Sequence, residues 1–227
     1  MQKYLSLYPL PINFVLMKPW FFIFFILPLL GFAYVVWHVW QILPLSPSWK
    51  GAVVGLMLLS VVCLFSHFLI GPDSLPLAAG RVVYEVGTSS LFILLYLVMI
   101  FLLLDIGRLV RLVPPSFLHH SVAGSVGILL FVCALFVYAN ANYRNKQMRT
   151  MELHAARPLS SPMRIVMLSD MHIGYHNPVK ELARWVDMIN AASPDVVLIA
   201  GDIIDGSMKP LREENMAAVF RRIKAPV

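Results

Sequence analysis

The sequence predicts a membrane anchor of four α-helices followed by a truncated α/β unit of the βαβ type. Four long apolar stretches without Asp, Glu, Lys or Arg precede Asn140. Between Met163 and Gly206, two short β-branched runs flank one amphipathic helical segment. With 59% hydrophobic and 13% charged residues, the composition also lies outside the range of soluble globular domains and indicates a membrane protein.

The anchor is predicted to occupy residues 1–139, with helices at roughly 20–40, 51–70, 88–104 and 117–139. A helix needs about 20 residues to cross a hydrocarbon core of about 30 Å. Each central Leu, Ile, Phe or Val favours insertion by about 0.3–0.6 kcal/mol, whereas one charged residue costs about 2.5–3.5 kcal/mol. The first stretch is too long for a signal-peptide core and lacks a small-residue cleavage site, so we expect it to be retained.

The basic residues predict an integral protein of a bacterial-type cell membrane with both termini in the cytoplasm. Short cytoplasmic loops carry an excess of Lys and Arg. With a cytoplasmic N-terminus, the three outer residues are Lys50, Arg108 and Arg111, and the seven inner ones are Lys3, Lys18, Arg81, Arg144, Lys146, Arg149 and Arg157.

Polar residues within the anchor are interpreted as structural. Asp105 and Arg108 are spaced to pair on one helix face. Intramembrane ionisable groups mark functional sites in some proteins, but we interpret the histidines as polar residues of the membrane interface; they are His38, His67, His119 and His120.

Residues 140–161 are predicted to form a basic juxtamembrane linker. Arg144, Lys146 and Arg149 directly follow the fourth apolar stretch. Ordinary positive-inside charge explains them, and the alternative is a collar that holds a soluble domain against anionic headgroups. Because most of the net charge of +6 is juxtamembrane, the sequence predicts no nucleic-acid partner.

Residues 162–227 carry the predicted strand–helix–strand pattern. The runs 163–168 and 195–200 are short and bounded by Pro, Ser and Gly, as buried strands are. The segment between them is predicted to be a helix over Val179–Ala192 that begins after Pro178. Its apolar residues recur at helical spacing; they are Leu182, Trp185, Val186 and Ile189. Parallel strands follow from this order.

Three potential metal ligands come directly after the two strands. Asp170 and His172 follow the first strand, and Asp202 follows the second. The carboxyl ends of parallel strands open on one edge, where ligands of α/β proteins bind. Residues two apart in an extended segment point the same way, so Asp170 and His172 are placed to hold one ion. Oxygen and nitrogen donors favour a divalent ion such as Mn, Fe or Zn.

These residues resemble the opening motifs of the calcineurin-like metallophosphoesterases, Asp-x-His and Gly-Asp-x-x-Asp. They read Asp170-Met171-His172 and Gly201-Asp202-Ile203-Ile204-Asp205. The resemblance implies a two-metal site that hydrolyses phosphate mono- or diesters with a metal-activated water. It implies that Asp170 and His172 bind the first metal and that Asp202 bridges both. Asp205 is interpreted as a carboxylate that organises the turn, and His176 as an exposed loop residue.

The resemblance covers the last third of the chain and two of the family's motifs. After Asp205 we predict one helix over Met208–Lys224 and find no Gly-Asn-His or Gly-His-x-His, so we expect an incomplete domain that is inactive by itself. The expected partners are the lipid bilayer and a phosphate ester, lipid-linked if the tether reflects the substrate. The alternative is a truncated, non-catalytic membrane protein, either a pseudoenzyme or an interaction module.

Overall fold

The structure is a computed structural model that describes residues 19–154 and 160–226, except for the side chains of 19–25, 67, 68 and 72. Within these residues, four long helices come first: α1 (Pro19–Ile42), α2 (Pro47–Leu69), α3 (Leu77–Leu109) and α4 (Val122–Arg144). They are followed by β1 (Ile165–Ser169), α5 (Val179–Ala191), β2 (Val196–Ala200), α6 (Lys209–Glu213) and α7 (Met216–Phe220). Lys3, Lys18 and Arg157 of the predicted inner side, and the side chain of His67, lie outside the described part.

Three helices of the described chain are long and apolar enough to cross a membrane. They are Pro47–Ser66 within α2, the whole of α3, and α4. The apolar part of α1 that the structure describes, Ile26–Ile42, is shorter than a membrane span. The length and composition of these three helices indicate a membrane protein. The predicted number of four spans is not confirmed.

Helix α3 is much longer than the predicted segment 88–104. It contains 33 residues, which corresponds to about 50 Å at about 1.5 Å per residue. The hydrocarbon core is only about 30 Å thick. Arg81 and Glu85 lie in the first turns of the helix. Because these side chains are charged, a position outside the hydrocarbon core is favoured for these turns. The sequence prediction followed uncharged residues alone and therefore missed this extension.

Residues 19–46 and 94–128 form one compact unit. His38 is buried there, with 2% of its surface exposed, and its ring stacks on Phe101 at a centroid distance of 4.5 Å. Asp105 Oδ2 lies 3.0 Å from His38 Nε2 and accepts a hydrogen bond of 2.7 Å from the Tyr34 hydroxyl. The structure thus shows His38 as a buried residue with partners, and its place at the membrane interface stays a prediction. Asp105 bonds to Tyr34 and His38 of α1, because the buried imidazole of His38 requires a partner.

Residues 47–93 and 129–226 form a second unit. In it, α2 and α3 approach closely, since a Cβ atom at Gly87 would lie 2.8 Å from Leu64 Cα. β1 and β2 pair in parallel over five residues, from Ile165 opposite Val196 to Ser169 opposite Ala200. The strand–helix–strand order therefore matches the predicted one.

Helix α5 supplies much of the core of this α/β region. Its buried residues are Leu182, Val186 and Ile189, and they lie on the face that the helical spacing predicts. The core cluster also contains residues from the loop after β1 and from α7; they are Met171, Ile173 and Met216. Burial of these side chains holds that loop against the helix.

The predicted single helix over Met208–Lys224 is wrong. The structure has two short helices, α6 and α7, which are separated at Asn215. Asn215 has φ 48° and ψ 44°, a left-handed conformation that Asn tolerates better than most residues. The preceding Glu214 accepts a hydrogen bond of 3.0 Å from the backbone amide of Val179, so the break lies where the chain is fastened to the start of α5.

Candidate metal centre

Two loops at the carboxyl edge of the sheet carry the predicted ligands. We call residues 170–178 the β1 loop and residues 201–208 the β2 loop. The backbone amide of His172 donates to the carbonyl of Asp202 at 3.1 Å. The parallel pairing of the strands thus continues beyond their ends and places the two loops side by side.

The candidate ligands of the β1 loop have unusual backbone conformations. Asp170 has φ 51° and His172 has φ 43°, both in the left-handed region. Such conformations cost about 1–3 kcal/mol each and cluster at functional sites. The amide of Asp170 donates to the carbonyl of Ala200 at 3.0 Å. Bonds to the end of β2 and to the β2 loop therefore hold the backbone in this conformation.

Gly201 leaves room for the Asp170 carboxylate. It has φ +71°, and a Cβ atom at this position would lie 2.2 Å from Asp170 Oδ1. The amide nitrogen of Asp202 lies 3.4 Å from the same oxygen. Asp170 and Asp202 are exposed, whereas His172 is half-buried. The two carboxylates therefore belong to neighbouring, solvent-accessible positions on the edge of the sheet.

The donor types on these loops fit a divalent metal ion. Carboxylate oxygens and an imidazole nitrogen suit Mn, Fe and Zn, and the close packing at Gly201 keeps a side chain out of the space beside Asp170. Within residues 19–154 and 160–226, no three His, Cys, Asp or Glu side chains lie together as a group that holds a metal ion. The assignment of Asp170, His172 and Asp202 as ligands therefore stays a prediction.

The structure also shows the surroundings of two neighbours of these residues, Asp205 and His176. The Asp205 carboxylate accepts a hydrogen bond of 2.5 Å from the Tyr84 hydroxyl, and the Asp205 amide donates to the carbonyl of Ile173 at 3.0 Å. Asp205 thus fixes the β2 loop to its surroundings. His176 is exposed in the β1 loop.

Sequence reasoning missed Asn177, which organises the β1 loop from within. Asn177 is buried, and its side-chain amide donates to the carbonyls of Met171 and His172 at 3.0 and 3.2 Å. The same nitrogen lies 3.0 Å from the hydroxyl of Tyr143 on α4. The Asn177-Pro178 pair is the only local signal, and it indicates a turn before the helix.

Sequence reasoning also missed a polar cluster beside the two loops. Tyr175 is 1% exposed and its hydroxyl donates to Asp73 Oδ1 at 3.1 Å. The Ser207 hydroxyl donates to the same oxygen at 2.5 Å. Burial, together with the hydrogen bond to Asp73, raises the pKa of Tyr175 to about 12. Asp73 lies far from both loops in sequence, so no local pattern predicts these contacts.

Comparison with known proteins shows which family these loops resemble. Residues 163–227 match the family model of the calcineurin-like phosphoesterases. Both loops of the candidate centre, with the two motifs that they carry, lie inside this matched segment, which we call the phosphoesterase segment. Members of this family are generally metal-dependent hydrolases.

Curated relatives carry the same family name. An uncharacterized metallophosphoesterase of Campylobacter jejuni is 32% identical over 85 residues, which are 37% of this chain and 23% of the relative. A transmembrane protein with metallophosphoesterase domain of Danio rerio is 44% identical over 50 residues, 22% of this chain and 11% of the relative. A putative metallophosphoesterase of Caenorhabditis elegans is 25% identical over 180 residues, 75% of this chain and 36% of the relative.

The C. elegans match extends beyond the phosphoesterase segment, because 75% of this chain is far more than residues 163–227. The similarity therefore includes part of the apolar helices. The chain spans little more than a third of the length of that relative and less of the other two. No solved structure is significantly similar to the chain.

Proposed function

We propose that this protein is a membrane-anchored metallophosphoesterase that hydrolyses phosphate mono- or diesters, with Asp170, His172 and Asp202 as metal ligands. The observation that carries the proposal is the 3.1 Å bond from the His172 amide to the Asp202 carbonyl. It joins the two loops that bear the family motifs. The strained backbone at Asp170 and His172 adds support, because such strain is retained where function requires it.

The residues of the chain have distinct roles in this proposal. The exposed carboxylates of Asp170 and Asp202 supply oxygen donors, and His172 supplies an imidazole nitrogen. Gly201 leaves room for the Asp170 carboxylate. When bound, two divalent ions would polarise the phosphoryl group and lower the pKa of a water molecule to make it a nucleophile. Asn177 holds the carbonyl of His172, as outer hydrogen bonds orient ligands in metal sites.

We further propose a substrate at the membrane surface, such as a lipid-linked phosphate. The β1 loop contacts Tyr143 near the end of α4, and the β2 loop contacts Tyr84 in the first turns of α3. The edge of the sheet that carries the candidate ligands is thus the edge beside the helix ends. A phosphate group at the level of the lipid headgroups is near this edge.

The test is hydrolysis by the protein purified in detergent with Mn²⁺, using p-nitrophenyl phosphate, its bis-ester and vesicles that contain phosphatidic acid. Because the chain by itself is expected to be inactive, the first readout is Mn²⁺ binding, which we expect Asp202→Ala to weaken. Any rate of hydrolysis that the wild type shows should fall about 100-fold in this variant. The control is Asp187→Ala, which removes an exposed carboxylate on α5 that pairs with Arg222. Mn²⁺ binding that Asp202→Ala leaves unchanged contradicts the site. Absence of both hydrolysis and Mn²⁺ binding favours a non-catalytic membrane module.

A further inference from the structure

Both loops of the candidate centre are fastened to the segments around the start of α3. The segment before α3 contains a short 3-10 turn at Pro72–Ser74. From this turn, Asp73 reaches both loops. Its Oδ1 atom accepts hydrogen bonds from Tyr175 of the β1 loop and from Ser207 of the β2 loop. One carboxylate oxygen therefore links the two loops to each other and to the membrane helices.

Lys209, at the start of α6, strengthens the same attachment. Its ammonium group donates to the backbone carbonyls of Asp73 and Leu75 at 3.0 and 2.6 Å. These bonds hold the segment before α3 against the end of the β2 loop. Because Lys209 holds the backbone at Asp73, the Asp73 carboxylate is also held beside the two loops.

Tyr84, about two turns into α3, forms a second attachment. Its hydroxyl donates to Asp205, three residues after Asp202. Its ring stacks on that of Tyr175, with centroids 5.7 Å apart and an angle of 22° between the planes. Tyr84 thus contacts both loops, one by a hydrogen bond and the other by an aromatic face.

Arg81 completes the contacts on the same helix. Its Nε atom donates to the carbonyl of Tyr175 at 3.1 Å, and its Nη2 atom lies 2.7 Å from Glu214 Oε1. Since Glu214 also accepts from the amide of Val179, the start of α5 is joined to α3 through this carboxylate. The second half of the β1 loop and the start of α5 are therefore held by groups that α3 reaches.

We propose that Asp73 and Tyr84 are positioning residues of the metal centre, so that the membrane anchor sets the geometry of the ligand-bearing loops. The inference rests on the proposed function, which supplies the metal. The left-handed backbone of Asp170 and His172 requires support. Asp73 and Tyr84, from the segments around the start of α3, provide it by hydrogen bonds to both loops.

The experiment uses the purified protein in detergent with Tyr84→Phe and Asp73→Ala. Two further variants are matched to them. Asp73→Asn keeps an acceptor oxygen, and Glu85→Gln changes an exposed residue on the same helix. Amide hydrogen exchange in the two loops is measured without metal, and the dissociation constant for Mn²⁺ is measured separately. Exchange tests the attachment whether or not the protein binds metal.

We expect Tyr84→Phe and Asp73→Ala to speed exchange in the loops, without change in α2, and to weaken Mn²⁺ binding about tenfold, as loss of outer-sphere partners does. Asp73→Asn is expected to restore most of both values, and Glu85→Gln to match the wild type. Unchanged loop exchange in both variants overturns the attachment. Faster exchange with unchanged Mn²⁺ affinity overturns the positioning role. A wild type that binds no Mn²⁺ refutes the proposed function instead, and the positioning role with it.

Discussion

Gly201 lies directly against the carboxylate of Asp170: a Cβ atom at position 201 would come within 2.2 Å of Asp170 Oδ1. The backbone of Gly201 also has φ +71°, which side chains rarely adopt. Two separate physical reasons therefore favour glycine at this position of the Gly-Asp motif. One is the conformation of the β2 loop, and the other is the space that the first candidate ligand occupies.

Gly201→Ala is expected to displace Asp170 and to weaken Mn²⁺ binding about tenfold. The matched control is Gly206→Ala. Gly206 has φ +59° but no atom within 4 Å of an added Cβ, so it shares the backbone strain of about 1–3 kcal/mol without the collision. A Mn²⁺ titration of both variants separates the effects. Equal loss of affinity in the two would show that strain alone, and not the contact with Asp170, explains the glycine.

Glu214→Ala is expected to lower the free energy of local unfolding at the start of α5 by about 2 kcal/mol. The side chain is only 16% exposed and bonds to Arg81 and to the amide of Val179, and hydrogen bonds to charged groups contribute about 1.5–3 kcal/mol. Amide exchange of α5 measures the change. The control is Asp187→Ala, whose partner Arg222 is 49% exposed and whose loss should cost less than about 1 kcal/mol. A similar loss of unfolding free energy in both variants would show that the bonds of Glu214 contribute no more than an exposed ion pair.

The phenol of Tyr175 is expected to titrate near pH 12, above the ordinary value of 10, because it is buried and donates to Asp73. A pKa that is higher in the folded state stabilises the fold fully below pH 10, and this contribution disappears as the pH rises toward 12. Spectroscopic titration against Tyr175→Phe isolates this group. Asp73→Asn should lower the pKa toward 10. A phenol that titrates at the ordinary value in the wild type would show that Tyr175 is not buried against Asp73.

Features that depend on residues close together in the sequence were predicted, and contacts between distant residues were not. The helical spacing of Leu182 and Val186 predicted α5, and the order strand–helix–strand predicted that Asp170 and Asp202 follow adjacent strands. These features are local. The bond from Tyr84 to Asp205 joins residues 121 apart in sequence, and the bond from Tyr175 to Asp73 joins residues 102 apart. No pattern along the chain indicates such pairs.

The remaining differences between the predicted and the observed helices occur where charged or polar residues interrupt an apolar pattern. Because Arg81 and Glu85 are charged, the predicted membrane segment begins too late along the chain, although these residues belong to the same helix. Asn215 adopts a left-handed conformation inside an apolar pattern that predicts one continuous helix. The break lies beside Glu214, which bonds to Arg81 and to the amide of Val179. The pattern of apolar residues does not predict these contacts.

The proposed cytoplasmic side of the linker is tested by Thr150→Cys in a protein whose Cys63 and Cys133 are replaced by Ala. An impermeant thiol reagent applied to intact cells should leave this cysteine unlabelled, because the basic residues after α4 favour the cytoplasmic side. Ser116→Cys, in the short turn before α4, serves as the expected outer position. Labelling at position 150 in intact cells, or protection at position 116, contradicts the topology.

We expect His172 and the carboxylates of Asp170 and Asp202 to bind one metal centre, and pulsed electron paramagnetic resonance of bound Mn²⁺ detects the histidine ligand. A histidine nitrogen on Mn²⁺ gives a characteristic modulation of the spin echo. We predict this modulation in the wild type, its loss in His172→Gln, and its retention in His176→Gln, which changes the exposed histidine of the same loop. Modulation that survives His172→Gln, or that disappears with His176→Gln, would contradict the assignment.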